Sequence, residues 1–251
     1  SSVSKKLINM KPTLLLLATS AILSISAQAA NVIWDPVSNI TADIDVVNFG
    51  TLVNSGNFGA APSSTTVNGV TFSPFAVATG TTQTIGDTTI STSGAGFDPF
   101  DALGNATGIS ASYNLLLSTE VYQNGGPTQT LTLTLGGLTI GQNYLIQLWS
   151  SDARQDGALV GRGNQYTGGA NVSGFMDINI TDLAGGAGTY VVGNFIADAA
   201  SQSFTTQNTG GDLSSPTINA FQLRTAIPEP SAVMLGGLGL LGLMSRRRRN
   251  G

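Results

Sequence analysis

The clearest pattern along the chain is a strict alternation, in which Thr130, Leu131, Thr132, Leu133, Thr134 and Leu135 follow one another as polar and apolar residues. Successive side chains of an extended strand point to opposite faces, so this segment predicts a strand with leucines on a core and threonines towards water. Gly136-Gly137 ends it. Residues 143–150 come next, apolar on one side through Tyr144, Ile146 and Leu148 and on the other through Leu145 and Trp149. A strand apolar on both faces is expected to be central in its sheet. Further strands are predicted at 46–53, at 172–180 where Met176, Ile178 and Ile180 alternate, and at 189–197, 203–206 and 217–223. Asn68-Gly69, between Thr66-Val67 and Val70-Thr71-Phe72, is a type I′ hairpin signal, and residues 81–92 repeat the idea around Gly86-Asp87 as edge strands.

One stretch has the helical period instead. Ile109, Tyr113, Leu116, Leu117 and Val121 recur at helical spacing, Ser110 is placed to cap the start, and Gly125-Gly126-Pro127 stops what precedes it. This predicts one short helix within 109–122, with its apolar stripe packed on the core. Short strands separated by glycine turns, with little helix, predict an all-β fold, an antiparallel β-sandwich.

Two apolar runs fit neither period. Residues 14–25 are preceded by Lys5, Lys6 and Lys11 and followed by Ala27-Gln28-Ala29, the order of a secretory signal peptide with a small-x-small cleavage site. Met10-Lys11 and the leucine run would already form a complete short signal, which makes Met10 a candidate initiator. The second run, residues 232–244, follows Pro228-Glu229-Pro230 and precedes Arg246, Arg247, Arg248 and Arg249. As a helix its thirteen residues reach about 20 Å, short of the roughly 30 Å hydrocarbon core. The arginines would hold the extreme C-terminus in the cytoplasm, with everything before Pro228 on the far side of the membrane. An ordinary tail anchor is the competing reading. The chain thus divides into a signal peptide (1–29), an exported β-sandwich domain (30–227) and a C-terminal sorting segment (228–251).

The order Pro-Glu-Pro, short apolar helix and arginine cluster closely resembles the PEP-CTERM sorting signal of proteins exported by Gram-negative bacteria. The N-terminal segment calls for signal peptidase, and the resemblance implies an exosortase-type transpeptidase as the second processing partner. It also implies a transient stay in the inner membrane before the cell surface or extracellular matrix is reached. Within the domain, the run from Leu135-Gly136-Gly137-Leu138 through Tyr144 to Trp149, together with Ile218 to Leu223, is similar to the second half of galactose-binding-like and malectin-like folds, which implies a jelly-roll-like sandwich.

Composition removes several chemistries. The chain has no Cys and no His, which excludes zinc sites of the usual Cys/His type, a Ser-His-Asp triad, a thiol nucleophile and a disulfide framework. No cofactor is expected. Seven of the ten basic residues lie in the two targeting ends, so the domain keeps Arg154, Arg162 and Arg224 against thirteen acids, a net charge of about −10. A nucleic-acid or anionic-membrane partner for the domain is not expected on that charge.

The candidate site is the predicted loop 151–169, which gathers Asp152, Arg154, Asp156 and Arg162 between Trp149 and Tyr166. Loops of that length in compact domains are usually functional or disordered. Aromatic faces stack on sugar rings while Asp and Arg orient hydroxyls, so these residues suit a glycan site. The competing reading is structural: Asp152 or Asp156 pairs with Arg154 or Arg162 to order the loop, and Trp149 is core. The segment from Asp152 misses an EF-hand because Arg154 and Gly163 stand at ligand positions. Asp43 with Asp45, or Asp98 with Asp101, read either as parts of an irregular calcium site or as turn residues. Three functions remain: a non-enzymatic envelope or matrix protein associated with exopolysaccharide, a carbohydrate-binding module with a defined glycan site, and a carboxylate-based glycosidase or lyase using Glu120 and an Asp. The first is expected.

Overall fold

A computed structural model describes residues 29–125, 128–154, 161–210 and 215–226. The signal-peptide run, Asp156 and the sorting residues Pro228, Glu229, Pro230 and Arg246 to Arg249 lie outside the described residues. The described residues form a β-sandwich with one α-helix, as the patterning predicts.

The larger sheet runs, in spatial order, through Ile33–Trp34, Thr189–Ile196, Asn143–Ser150, Ala220–Thr225, Thr51–Gly59, Val70–Ala76 and Thr65–Val67. The second runs through Asn171–Val172, Gly163–Gly168, Gln202–Gly210, Thr130–Leu135, Thr88–Thr92 and Thr82–Ile85. A small third sheet holds Thr217–Ile218, Glu120–Gln123 and Phe97–Phe100. Among the described residues pairing is antiparallel except between Thr51–Gly59 and Val70–Ala76, which run parallel. The main core lies between the two large sheets. Leu131, Leu133 and Leu135 face inward as their alternation predicts and meet Ile146, Leu148, Phe204, Phe221 and Leu223, all buried. The intervening threonines are half-buried and pair across the sheet, Thr132 with Thr205 at 3.1 Å and Thr134 with Ser203 at 2.8 Å.

Strand Asn143–Ser150 is central, flanked by Thr189–Ile196 and Ala220–Thr225. Its second face carries a separate apolar layer, in which Trp149 is fully buried against Phe72 and the helix Ala111–Leu117. Ser110 caps that helix, its hydroxyl accepting from the Tyr113 amide at 3.1 Å. Asn68 and Gly69 both have positive φ, 48° and 77°, so the predicted hairpin joins Thr65–Val67 to Val70–Ala76 in the conformation a type I′ turn requires. The pair Thr82–Ile85 and Thr88–Thr92 also forms around Gly86, with Thr82–Ile85 at the sheet edge.

Several boundaries differ from the sequence reading. The strand expected at 46–53 is Thr51–Gly59, because the backbone of 45–50 is held by side chains rather than by a neighbouring strand. Gln147 Nε2 donates to the Asp45 carbonyl at 2.7 Å, Gln222 Nε2 to Val47 at 3.0 Å, and Arg224 to the carbonyls of Asn48, Phe49 and Gly50. Val121 is not helical. The helix ends at Leu117, and Val121 lies in the strand Glu120–Gln123, where its backbone pairs with Pro99 and Ile218. Of 172–180 only Asn171–Val172 and Met176–Asp177 are strand. Met176 and Ile178 do point inward, but the backbone of Ile178 bonds to Asp152 and Arg162 in the adjoining loop. The expected loop 151–169 contains the strand Gly163–Gly168, which pairs with Gln202–Gly210.

Asn219 breaks the last strand into Thr217–Ile218 and Ala220–Thr225, so that one segment joins the small sheet to the large one. Its buried side chain ties this crossing to two loops. Oδ1 accepts from the Ser151 amide at 2.7 Å, while Nδ2 faces the carbonyls of Leu117, Thr119 and Ser151, each at 3.0 Å. The crossing sets the small sheet beside the chain that leaves Ser150, and a cleft forms between them.

Candidate functional site: an arginine-lined cleft beside the small sheet

Strand register builds one wall of the cleft. Phe100 pairs with Glu120, and Tyr122 lies two residues beyond Glu120 on the same face. The other wall comes from the segments around Arg154 and Arg162. With Ser215 these residues line a space of about 260 Å³.

Asp152 is the anchor of the second wall. It is 1% exposed, and its amide donates to the Ile178 carbonyl at 2.7 Å while its own carbonyl accepts from Asn179 Nδ2 at 3.0 Å. Its carboxylate grips Arg154: Oδ1 accepts from the Arg154 amide at 3.1 Å and from Nε at 2.8 Å, and Oδ2 accepts from Nε and from the terminal nitrogen. Held this way, the Arg154 guanidinium lies 4.5 Å from the centre of the Phe100 ring, a cation–π contact across the two walls. Arg162 approaches the same Asp152 carboxylate at 3.8 Å.

Glu120 is 3% exposed, and its Oε2 accepts from the Thr217 hydroxyl on the neighbouring strand. Burial pushes its carboxyl up to about 7, and the negative charge of Asp152 adds to the rise. The Thr217 hydroxyl and the two arginines oppose the shift without cancelling it. Near neutral pH the cleft therefore holds an acid poised between its two protonation states. Tyr122 is raised above the usual phenol range by partial burial and by the charges of Asp98 and Glu120.

Of the residues singled out in the sequence, Asp152, Arg154 and Arg162 come together. Trp149 does not join them; it is fully buried on the far apolar layer, donating to the Tyr113 hydroxyl at 2.9 Å. Tyr166 is also core. Its hydroxyl bonds Ser150 at 3.1 Å and the Thr217 carbonyl at 3.2 Å, and burial drives its pKa upward. Both are corrections to a glycan-stacking role, since neither ring has a face to offer. Phe100 and Tyr122 are the aromatic residues that line the cleft, and neither was singled out. Glu120 carried a signal of its own, as the one Glu in a domain whose other acids are all Asp. Of the acidic pairs elsewhere, Asp45 accepts from the amides of Thr41 and Ala42, Asp101 from those of Ala60 and Ala61, and Asp98 from the Asn124 side chain. Among the described residues no group of three or more acids is placed to hold a metal ion.

The fold and cleft define a β-sandwich with a small, charged site walled by two loops and a strand pair. The C-terminus adds the address. The PEP-CTERM protein-sorting motif matches residues 226–249, which take in Pro228-Glu229-Pro230 and all four arginines. The chain is thus similar to proteins that are exported and sorted to the cell envelope by exosortase-type machinery. No curated protein matches the chain. A solved structure of a carbohydrate-binding module from the β-sandwich superfamily, described for promiscuous specificity, is 14% identical, with 79% of this chain and 97% of that one covered and a TM-score of 0.26. Among the described residues no helix is long and apolar enough to cross a membrane.

Proposed function

We propose that this is a non-enzymatic protein of the cell envelope or extracellular matrix that associates with exopolysaccharide through the cleft between Phe100 and Arg162. The observation that supports it is the gathering of an aromatic ring, two guanidinium groups and a tyrosine hydroxyl in one small space, a donor-rich lining suited to sugar hydroxyls. The C-terminal segment serves as a transient membrane foothold and is removed near Pro228, releasing the domain to the surface or matrix.

A glycosidase or lyase reading draws support from Glu120, whose raised pKa suits a general acid. Glycoside hydrolysis normally needs a second carboxylate free to act as base or nucleophile. Asp152 is instead committed to Arg154 through both oxygens, so the binding role is favoured. The decisive experiment compares intact and tail-deleted protein in the native host for location, and tests each against the host's exopolysaccharide. Retention of intact protein with the polysaccharide fraction supports the proposal. Absence of any polysaccharide association, or release of sugar fragments on incubation, would overturn it.

A further inference from the structure

The chemistry of the ligand can be narrowed from an imbalance in the cleft wall. Arg162 has a side chain only 12% exposed, and its ion pair with Asp152 spans 3.8 Å, beyond hydrogen-bond length. Among the described residues its Nε is buried with no acceptor, and none of its other guanidinium nitrogens makes a hydrogen bond either. An arginine carries five N–H donors in a rigid fork that matches a carboxylate. Leaving such a cation half-paired in a largely buried position is unfavourable. Asp152 cannot supply the missing acceptors, because Arg154 already takes both of its oxygens.

Charge placement points the same way. The domain is strongly acidic, yet two of its three arginines stand in this cleft. The third, Arg224, is spent on the carbonyls of Asn48, Phe49 and Gly50. With Asp152 offsetting one guanidinium, the cleft carries a net positive charge of about one while Glu120 is protonated, below about pH 7, on an otherwise acidic body, and its volume of about 260 Å³ lies below the roughly 300–1,000 Å³ of pockets for drug-sized ligands. It suits one sugar unit rather than an oligosaccharide.

We propose that the cleft takes a carboxylate-bearing sugar, a uronic acid unit of an acidic polysaccharide, with the sugar carboxylate on the Arg162 guanidinium and its hydroxyls facing Arg154, Tyr122 and Ser215. This rests on reading the cleft as a glycan site. Binding depends on pH through Glu120, which is faced by Asp152, Arg154 and Arg162 from the opposite wall, by Thr217 from the adjoining strand, and by Tyr122 and Tyr166. As pH rises through about 7, Glu120 gains a negative charge beside the sugar carboxylate, so affinity falls.

The test uses the full chain and three uronate polymers, polygalacturonate, alginate and hyaluronan, each before and after chemical reduction of its carboxyl groups, with the host's extracted exopolysaccharide alongside. At least one uronate polymer is expected to bind. Reduction of that polymer and the variant Arg162→Gln should each weaken binding at least about tenfold, the loss of a bidentate charged pair. Arg162→Lys keeps the charge and serves if the Gln variant does not fold; losing the fork should still weaken binding several-fold. Wild-type affinity should be higher at pH 6 than at pH 8, and Glu120→Gln should remove that difference. Equal binding before and after reduction, or unchanged affinity in both Arg162 variants, overturns the inference while leaving the glycan site in place. So does binding of the host polysaccharide with none of the uronates. Binding of nothing overturns both.

Discussion

The Thr217 hydroxyl donates to the Glu120 carboxylate across two neighbouring strands, and it is the one hydrogen-bonding side chain that Glu120 meets among the described residues. A single neutral donor does not offset burial of the charge, which is why the carboxyl sits near 7 rather than at its ordinary value of 4.5.

A pH-dependent stability follows from that shift. The folded state holds the Glu120 proton more tightly than the unfolded chain, so the contribution is fully present below about 4.5 and is lost as pH rises to about 7. Its full size is about 3 kcal/mol, an order-of-magnitude figure. Urea unfolding of wild type and Glu120→Gln at a series of pH values should show the difference between them changing across that window and flat above it. A constant difference from pH 4 to 8 would place Glu120 in a more solvated setting.

Leu133 is fully enclosed between the sheets, so Leu133→Ala should cost about 2–5 kcal/mol of folding stability. Denaturant midpoints at unchanged slope would measure it. A near-neutral effect would move that strand to an edge.

Asn219→Ala leaves the Ser151 amide and the carbonyls of Leu117, Thr119 and Ser151 short of a partner in a dry position. The expected cost is about 3 kcal/mol, from backbone groups left unsatisfied. Because Asn219 holds the crossing between the sheets, polysaccharide binding should weaken in the same variant even at temperatures where it stays folded. Full binding with lowered stability would separate the crossing from the cleft.

Trp149→Phe removes the hydrogen bond to Tyr113 and leaves the Tyr113 hydroxyl unsatisfied, at a cost of about 1–3 kcal/mol. Polysaccharide affinity should be unchanged at temperatures where the variant is folded. Loss of binding with stability intact would return Trp149 to the ligand site.

At the two ends, protein recovered from the native host should lack both apolar runs, with cleavage near Ala29 and near Pro228. Intact mass is the measurement, and a species still carrying Arg246 to Arg249 would support an ordinary tail anchor.

Period and order along the chain were sufficient for the elements whose environment is one-dimensional. The alternation from Thr130 to Leu135 sorts its residues between core and surface without reference to any neighbour, and Asn68-Gly69 and Ser110 specify a turn and a cap by local geometry alone. The sorting motif is likewise legible, because an address is read as a string of residues. Side chains that act on distant backbone leave no such trace. Gln147, Gln222 and Arg224 replace a strand partner for residues 45–50, and nothing in the local sequence says which distant backbone they bond. The cleft shows the same division. Asp152, Arg154 and Arg162 are near one another in sequence and could be grouped by inspection. Phe100, Glu120 and Tyr122 reach them only because antiparallel register sets Phe100 against Glu120 and because the chain changes sheets at Asn219. The sequence leaves Trp149 open between a ligand contact and the core and puts Tyr166 among the candidate ligand contacts, since an aromatic beside a charged loop is compatible with either burial or exposure. Only the packing of Trp149 on Tyr113 and of Tyr166 on Ser150 and Thr217 decided that both are interior, because each polar tip finds its partner inside the protein.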